Sequence, residues 1–362
     1  MKRIQGRGRN GGQGRGRADS VHASAIPSTE YTAAFLRFTD SGDWRTLLLM
    51  AAIYAVWAGL VFFGPPAFAS MPGALLAIVL IAPMLTLHSS TQHEFVHGHP
   101  FRAQLLNDIL AFAPIGLIIP YCRFKETHLT HHLDCNLCDP FDDPESWYMD
   151  ISDWLRQHAV ARAVLNANNT FAGRLVFGPL IGTLGLLRND FKRVRAGEGW
   201  LAARWLFHWA LAGTLLALIA AFAVVPVWAY LVCCYLAMSL LMVRTFAEHQ
   251  SELAEGSQDK EGAVRRGRSI IVENGGIFSW LFLHNSFHAV HHSAPALAWY
   301  RLPARYRQNT TRFREMNRGY SVASYGELFR RYAFRRKEPV PFPGNVAGNA
   351  KKAANGDCSN GG

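Results

Sequence analysis

Twelve of the fifteen histidines in this chain fall into three stretches whose spacings suit a metal site. HEFVHGH supplies His93, His97 and His99, with His88 just upstream; HLTHH supplies His128, His131 and His132; the last stretch holds His249, then His284, His288, His291 and His292 in LHNSFHAVHH. On a helix, residues three and four apart share a face, so His93 and His97 can converge, and each HxxHH box can turn three imidazoles to one side. HEFVH also matches the HExxH pattern of zinc peptidases, in which two histidines, a third ligand and an open position surround the ion and the glutamate, here Glu94, is the general base. That reading leaves both HxxHH boxes without a purpose. At least eight histidines are more than one zinc holds, whereas two ions with four or five ligands each would use them. Imidazole accommodates iron, and iron has the redox chemistry for O₂ that zinc lacks. The Glu-rich ligand pattern of soluble di-iron bundles is absent.

The elements that must position these histidines are apolar. Half of the 362 residues are hydrophobic and 17% are charged, against roughly 25% in soluble domains. Arg45 and Glu94 bracket a stretch without Asp, Glu, Lys or Arg, broken at GPPAFASMPG (64–73), which predicts spans over 46–63 and 73–90. Arg204 and Arg244 bracket a second uncharged stretch that breaks near Val225-Pro226, predicting spans over 205–225 and 227–243. Shorter apolar stretches at 107–120 and 172–187 suit interfacial or re-entrant helices. The hairpin turns lack Lys and Arg, while the N-terminal tail, 91–204 and the region after 244 are rich in them, so the positive-inside rule puts those segments, both termini and the histidines in the cytoplasm.

Nearly all of the net charge of +11 sits at the two ends. Residues 1–20 are Gly- and Arg-rich, with six Lys/Arg against Asp19; residues 330–362 hold seven Lys/Arg against Glu338 and Asp357. Both ends predict disordered tails, 1–30 and 341–362, around a membrane domain over 31–340. GRGRNG (6–11) spells a dinucleotide fingerprint, but no strand precedes it and no helix pattern follows. No nucleic-acid partner is expected, and no cleaved signal segment is visible at the start. Cys135 and Cys138 form a lone CxxC, read as loop thiols, and Cys233 and Cys234 lie in an apolar run as packing residues.

HEFVHGH, HLTHH and HAVHHSAP, set on two uncharged hairpins, resemble the three histidine boxes of the integral-membrane fatty acid desaturase and hydroxylase superfamily over about residues 35–310. The resemblance implies an all-α integral membrane fold: four transmembrane helices in two hairpins, with a cytoplasmic helical cap carrying a histidine-rich di-iron site. It implies two iron ions, O₂ as co-substrate, and an external electron donor of ferredoxin, rubredoxin or cytochrome b5 type with its reductase. The ligands it implies are His93, His97, His128, His131, His132, His288, His291 and His292, with His249 as the isolated ligand after the fourth span. Glu94 then becomes an acceptor for imidazole Nδ1–H groups, and Glu126, Asp134, Asp139, Asp142, Asp143, Glu145 and Glu248 are candidates for the same role. His88, His99, His284 and Asn285 are candidate extra ligands or supports, outside the centre of the pattern. The implied reaction is desaturation or hydroxylation of an aliphatic chain, by default a fatty acyl group, at the lipid bilayer of a bacterial inner membrane. Some relatives act instead on small metabolites such as the amino-acid precursor of the enol ether rhizobitoxine. The rival of another class is an intramembrane zinc protease using HEFVH.

Overall fold

The computed structural model describes residues 36–133, 140, 143–250 and 268–342. Most of both expected tails, the CxxC pair and Asp134, Asp139 and Asp142 lie outside these residues. Pro341 and Phe342, placed by composition in the second tail, instead pair with Met149.

The first uncharged stretch forms α1 (Trp44–Phe63) and α2 (Met71–Val96). Gly64-Pro65 ends the first; the Ser70 hydroxyl accepts the Gly73 amide at the start of the second, whose second residue is a proline. Next come α3 (Gln104–Ala111), α4 (Tyr121–Leu133), α5 (Ile151–Arg156), α6 (Ala159–Asn168) and α7 (Phe171–Arg195). The second uncharged stretch forms α8 (Gly199–Phe222) and α9 (Val227–Glu248), separated by Pro226, which caps α9. After it come a two-residue strand β1 (Ile271–Val272), α10 (Ile277–Leu281), α11 (His288–Ser293), α12 (Leu302–Gln308), α13 (Thr310–Met316), β2 (Ser321–Val322), parallel to β1, and α14 (Tyr325–Tyr332).

Five helices, α1, α2, α7, α8 and α9, are long and apolar enough to cross a membrane. The sequence predicts four. The fifth arises because the 172–187 stretch does not stop where its charges begin; the helix continues through Arg188, Asp190, Lys192 and Arg193 to Arg195. Likewise α2 runs past residue 90 and carries His93 in its last turn, and α9 runs to Glu248.

Helix α2 packs along α9 and α1, and α9 also packs on α7. Ile78, Ile81 and Leu85 of α2 meet Tyr230, Cys233 and Ala237 of α9 in one buried cluster. The outward sides are equally apolar: Leu48, Val79, Leu206 and Phe222 are all exposed. A helix apolar on both its packed and its open face suits lipid. A second layer covers the ends of α2 and α9. There the Ile270 amide donates to the Glu248 carbonyl at 3.0 Å and the Ala289 amide to the Ile270 carbonyl at 3.2 Å, tying the third histidine box to the end of α9.

Candidate metal centre

Four helix segments deliver the histidines. His93 lies in the last turn of α2 and His97 caps it; α4 carries HLTHH; His249 follows the last residue of α9 in extended conformation; α11 begins at His288. His93, His97, His128, His132 and His291 bring one nitrogen each within 4.8 Å of one another, and His131, His249, His288 and His292 do the same. All nine histidines of the expected set therefore meet, in groups of five and four. Each HxxHH box divides between the groups. Its first and last histidines, four apart, enter one group, and the middle one enters the other. Helical period explains the split, because positions i and i+4 lie closer in angle than either does to i+3. The two groups are adjacent, with the His132 and His292 rings stacked 4.4 Å apart.

The ring nitrogens show what these groups can hold. His128 Nδ1 lies 3.1 Å from Glu145 Oε1, His131 Nδ1 2.9 Å from Asp143 Oδ1, and His288 Nδ1 3.2 Å from Asn285 Oδ1. These partners are acceptors, so the proton sits on Nδ1 and the lone pair on Nε2. Yet the Nε2 atoms of His131 and His288 both face His249 Nε2 at 3.0 Å, and His128 Nε2 faces those of His97 at 3.0 Å and His132 at 3.1 Å. His249 can donate a proton to at most one of its two neighbours. His93 Nε2 is buried with no partner at all. Lone pairs gathered this way repel unless a cation lies among them. A spacing of about 3.0 Å is that of two nitrogens at right angles around an ion bonded at about 2.1 Å. The donor set fits imidazole-bound metal in both groups.

The electrostatics agree. Burial and neighbouring imidazoles hold His249, His288, His291 and His292 well below the ordinary histidine range, and push His132 down to about 3. Neutral imidazole is the ligating form. His131 goes the other way. Burial opposes its charge, but Glu145, Asp143 and Glu248 outweigh burial and raise it to about 9. That negative field can be met at Nε2 either by a second proton or by a metal cation.

The flanking candidates divide. Asp143, Glu145 and Asn285 touch ligand-set histidines directly. Glu248 accepts from Asn285 Nδ2 at 2.7 Å, pairs with Arg244 at 2.8 Å and lies 3.5 Å from His288 Nδ1, so it supports the residue that supports His288. Glu94 is buried, but its Oε1 stays 3.7 Å from His93 Nδ1 and its Oε2 accepts the Trp299 amide at 3.0 Å; it anchors the segment after the third box rather than accepting an imidazole proton. Glu126 touches no histidine, because Arg123, Arg193 and Arg204 surround it. His88 faces the Tyr54 hydroxyl at 3.1 Å. His99 has both nitrogens engaged, by Asp43 at 2.9 Å and the Ala296 carbonyl at 3.0 Å. His284 stacks on Trp299. None of these three joins either group.

One supporting contact has no sequence signal. Arg123 of α4 binds Asp190 of α7 with two 2.7 Å bonds, and the Trp205 indole donates to Asp190 Oδ2 at 2.7 Å. This buried clamp fixes the helix that carries three of the nine histidines. Beside the histidines lies a cavity of about 630 Å³. His249, Asp143 and Glu145 line one part, and Leu85, Ile118, Met238 and Leu241 give it apolar walls.

No curated protein matches the chain. The family described as fatty acid desaturase matches residues 69–324, a region that includes all three boxes and His249 and spans well over half of the sequence. The chain belongs to the fatty acid desaturase family.

Proposed function

We propose that the protein is an O₂-dependent di-iron oxidoreductase that introduces a double bond into, or hydroxylates, an aliphatic chain. The observation that carries this reading is the division of nine histidines into two groups whose Nε2 lone pairs face one another. His93, His97, His128, His132 and His291 would hold one iron, and His131, His249, His288 and His292 the other. When bound, the irons supply the O₂ activation that attack on an unactivated C–H bond requires, with electrons from a separate donor protein.

The chain's own residues position. Glu145, Asp143 and Asn285 fix the tautomers of His128, His131 and His288, so that Nε2 is the ligating atom. Burial of His93, His128, His131, His288 and His291 limits the access of water to the centre. The cavity wall of Leu85, Met238 and Leu241 would hold a saturated segment beside the histidines, and small displacements of that segment would decide between desaturation and hydroxylation. A peptidase reading finds less support, since the Glu94 carboxylate that would serve as base is engaged by the Trp299 amide.

We infer four crossings rather than five. Phe171 at the start of α7 packs on Phe246 near the end of α9, and Asp190 near its end is bound by Arg123 of α4 and by Trp205 at the start of α8. Both contacts belong to the histidine-bearing side. Helix α7 therefore runs along that face, and α1/α2 and α8/α9 form the two hairpins. The Lys/Arg bias of the segments on this face supports a cytoplasmic site.

The test is metal analysis of purified protein together with mass spectrometry of lipids and polar metabolites from cells with and without the gene. About two irons per chain and an oxidised aliphatic product are expected. One zinc and no oxidised product would refute the assignment.

A further inference from the structure

The cavity beside the histidines has a cation built into its wall. Arg174, in the first turn of α7, is 3% exposed and lines this cavity. Its guanidinium is held on three sides. Nε donates to the Asn168 carbonyl at 2.9 Å, Nη2 donates to Asn169 Oδ1 at 3.2 Å, and the guanidinium carbon lies 3.8 Å from the centre of the Trp147 ring. Nη1 is buried and has no partner. Among the described residues no carboxylate lies within ion-pair distance of Arg174; Glu338, the acid whose field reaches it, accepts the Tyr148 hydroxyl.

The other two buried arginines among the described residues each have a carboxylate: Arg123 has Asp190 and Arg244 has Glu248. A buried guanidinium without a counter-ion is costly unless something supplies the charge. Amide oxygens and an indole face orient Arg174 but do not neutralise it. Such a rigidly held fork matches a carboxylate.

We propose that Arg174 binds a carboxylate of the substrate, and hence that the substrate is a free carboxylic acid rather than a neutral acyl ester or thioester. This rests on the oxidative reading for the identity of the cavity as the substrate site. The anionic end then lies inside the protein, in the same cavity as the oxidised carbon. Trp147, under the guanidinium, is two residues from Glu145, which holds His128; Phe246, whose ring is 5.7 Å from the guanidinium carbon, is three residues from His249. Ester or thioester formation removes the charge that Arg174 would recognise.

The test is equilibrium binding of radiolabelled decanoate and methyl decanoate to the full-length, iron-loaded protein in a neutral maltoside detergent, for the wild type, Arg174→Gln and Arg174→Lys, with iron content measured in parallel. Decanoate is expected to bind at least about tenfold more tightly than its ester, as a hydrogen bond to a charged group requires. The preference should vanish in Arg174→Gln, survive in part in Arg174→Lys, and leave iron content unchanged. Equal affinity for acid and ester in the wild type, a preference that persists in Arg174→Gln, or no binding of either probe would overturn the proposal. Should Arg174→Gln not fold, the wild-type comparison and Arg174→Lys decide alone. Binding needs no turnover, so selection of decanoate through Arg174 by a protein that oxidises nothing would leave Arg174 as a carboxylate-binding residue and refute only the oxidative identity of the cavity.

Discussion

Replacing Asp190 with Ala should loosen the helix that carries HLTHH. Arg123 and Asp190 are 1% and 2% exposed and share two 2.7 Å bonds. Removing one partner of a buried pair costs about 3–5 kcal/mol, chiefly because the other charge stays buried. Arg123 keeps Glu126 at 2.6 Å, a carboxylate about one-third exposed, which offsets part of that penalty. The Trp205 indole loses its acceptor, which adds about 1 kcal/mol. The net expectation is about 3–4 kcal/mol, or a fall in Tm of roughly 4–5 °C for a chain of 362 residues. Thermal unfolding in detergent, followed by tryptophan fluorescence, reads the shift; metal analysis of the same samples reads whether iron is lost with it. A double variant, Arg123→Met with Asp190→Leu, should be more stable than Asp190→Ala, because no charge is then left buried and Glu126 still has Arg193 and Arg204. A Tm within about 1 °C of wild type with full iron, less than the shift of a single kcal/mol, would refute the clamp. So would a double variant less stable than the single one.

The remaining expectations concern the centre and its surroundings. Asp143→Asn or Glu145→Gln should lower iron affinity or turnover about 10–100-fold, the usual cost of removing a partner that orients a ligating histidine; unchanged iron titrations would remove that role. His131→Ala and His291→Ala strike different groups, so each should bring iron down toward about one ion per chain and abolish turnover, and two irons retained in both would dissolve the five-and-four division. Ten arginines between residues 301 and 336 are exposed, against Glu315 and Glu327 in the same segment; reduction by an acidic donor protein should therefore slow steeply as salt shortens the Debye length to about 8 Å at physiological strength, and a salt-independent rate would exclude docking there. A cysteine replacing Thr130 should resist a membrane-impermeant thiol reagent applied outside intact cells, and labelling there would reverse the orientation.

What the sequence reveals here follows the reach of each signal. Uncharged stretches between Arg45 and Glu94, and between Arg204 and Arg244, are local and one-dimensional, so four long helices are legible in the order of the residues alone. Histidine spacing is equally local, and it marks His93, His97 and both HxxHH boxes as one site. Spacing does not say that the middle histidine of each box serves the neighbouring group, because that depends on how α4 and α11 face each other across the site. It also does not separate Glu145 and Asp143, which reach Nδ1 atoms, from Glu126, which a ring of arginines captures. Helix α7 is the clearest loss. Its apolar stretch reads as short because charges begin at Arg188, yet those charges are what the fold uses: Asp190 lies 67 positions from the Arg123 it binds. Arg174 is similar, an arginine near the start of the 172–187 stretch that reads as an interfacial or re-entrant helix. Only the packed structure shows Nη1 without a partner and Arg174 lining the same cavity as His249. Arg174 has no carboxylate within ion-pair distance among the described residues, and a substrate carboxylate in the cavity is the counter-charge proposed for it.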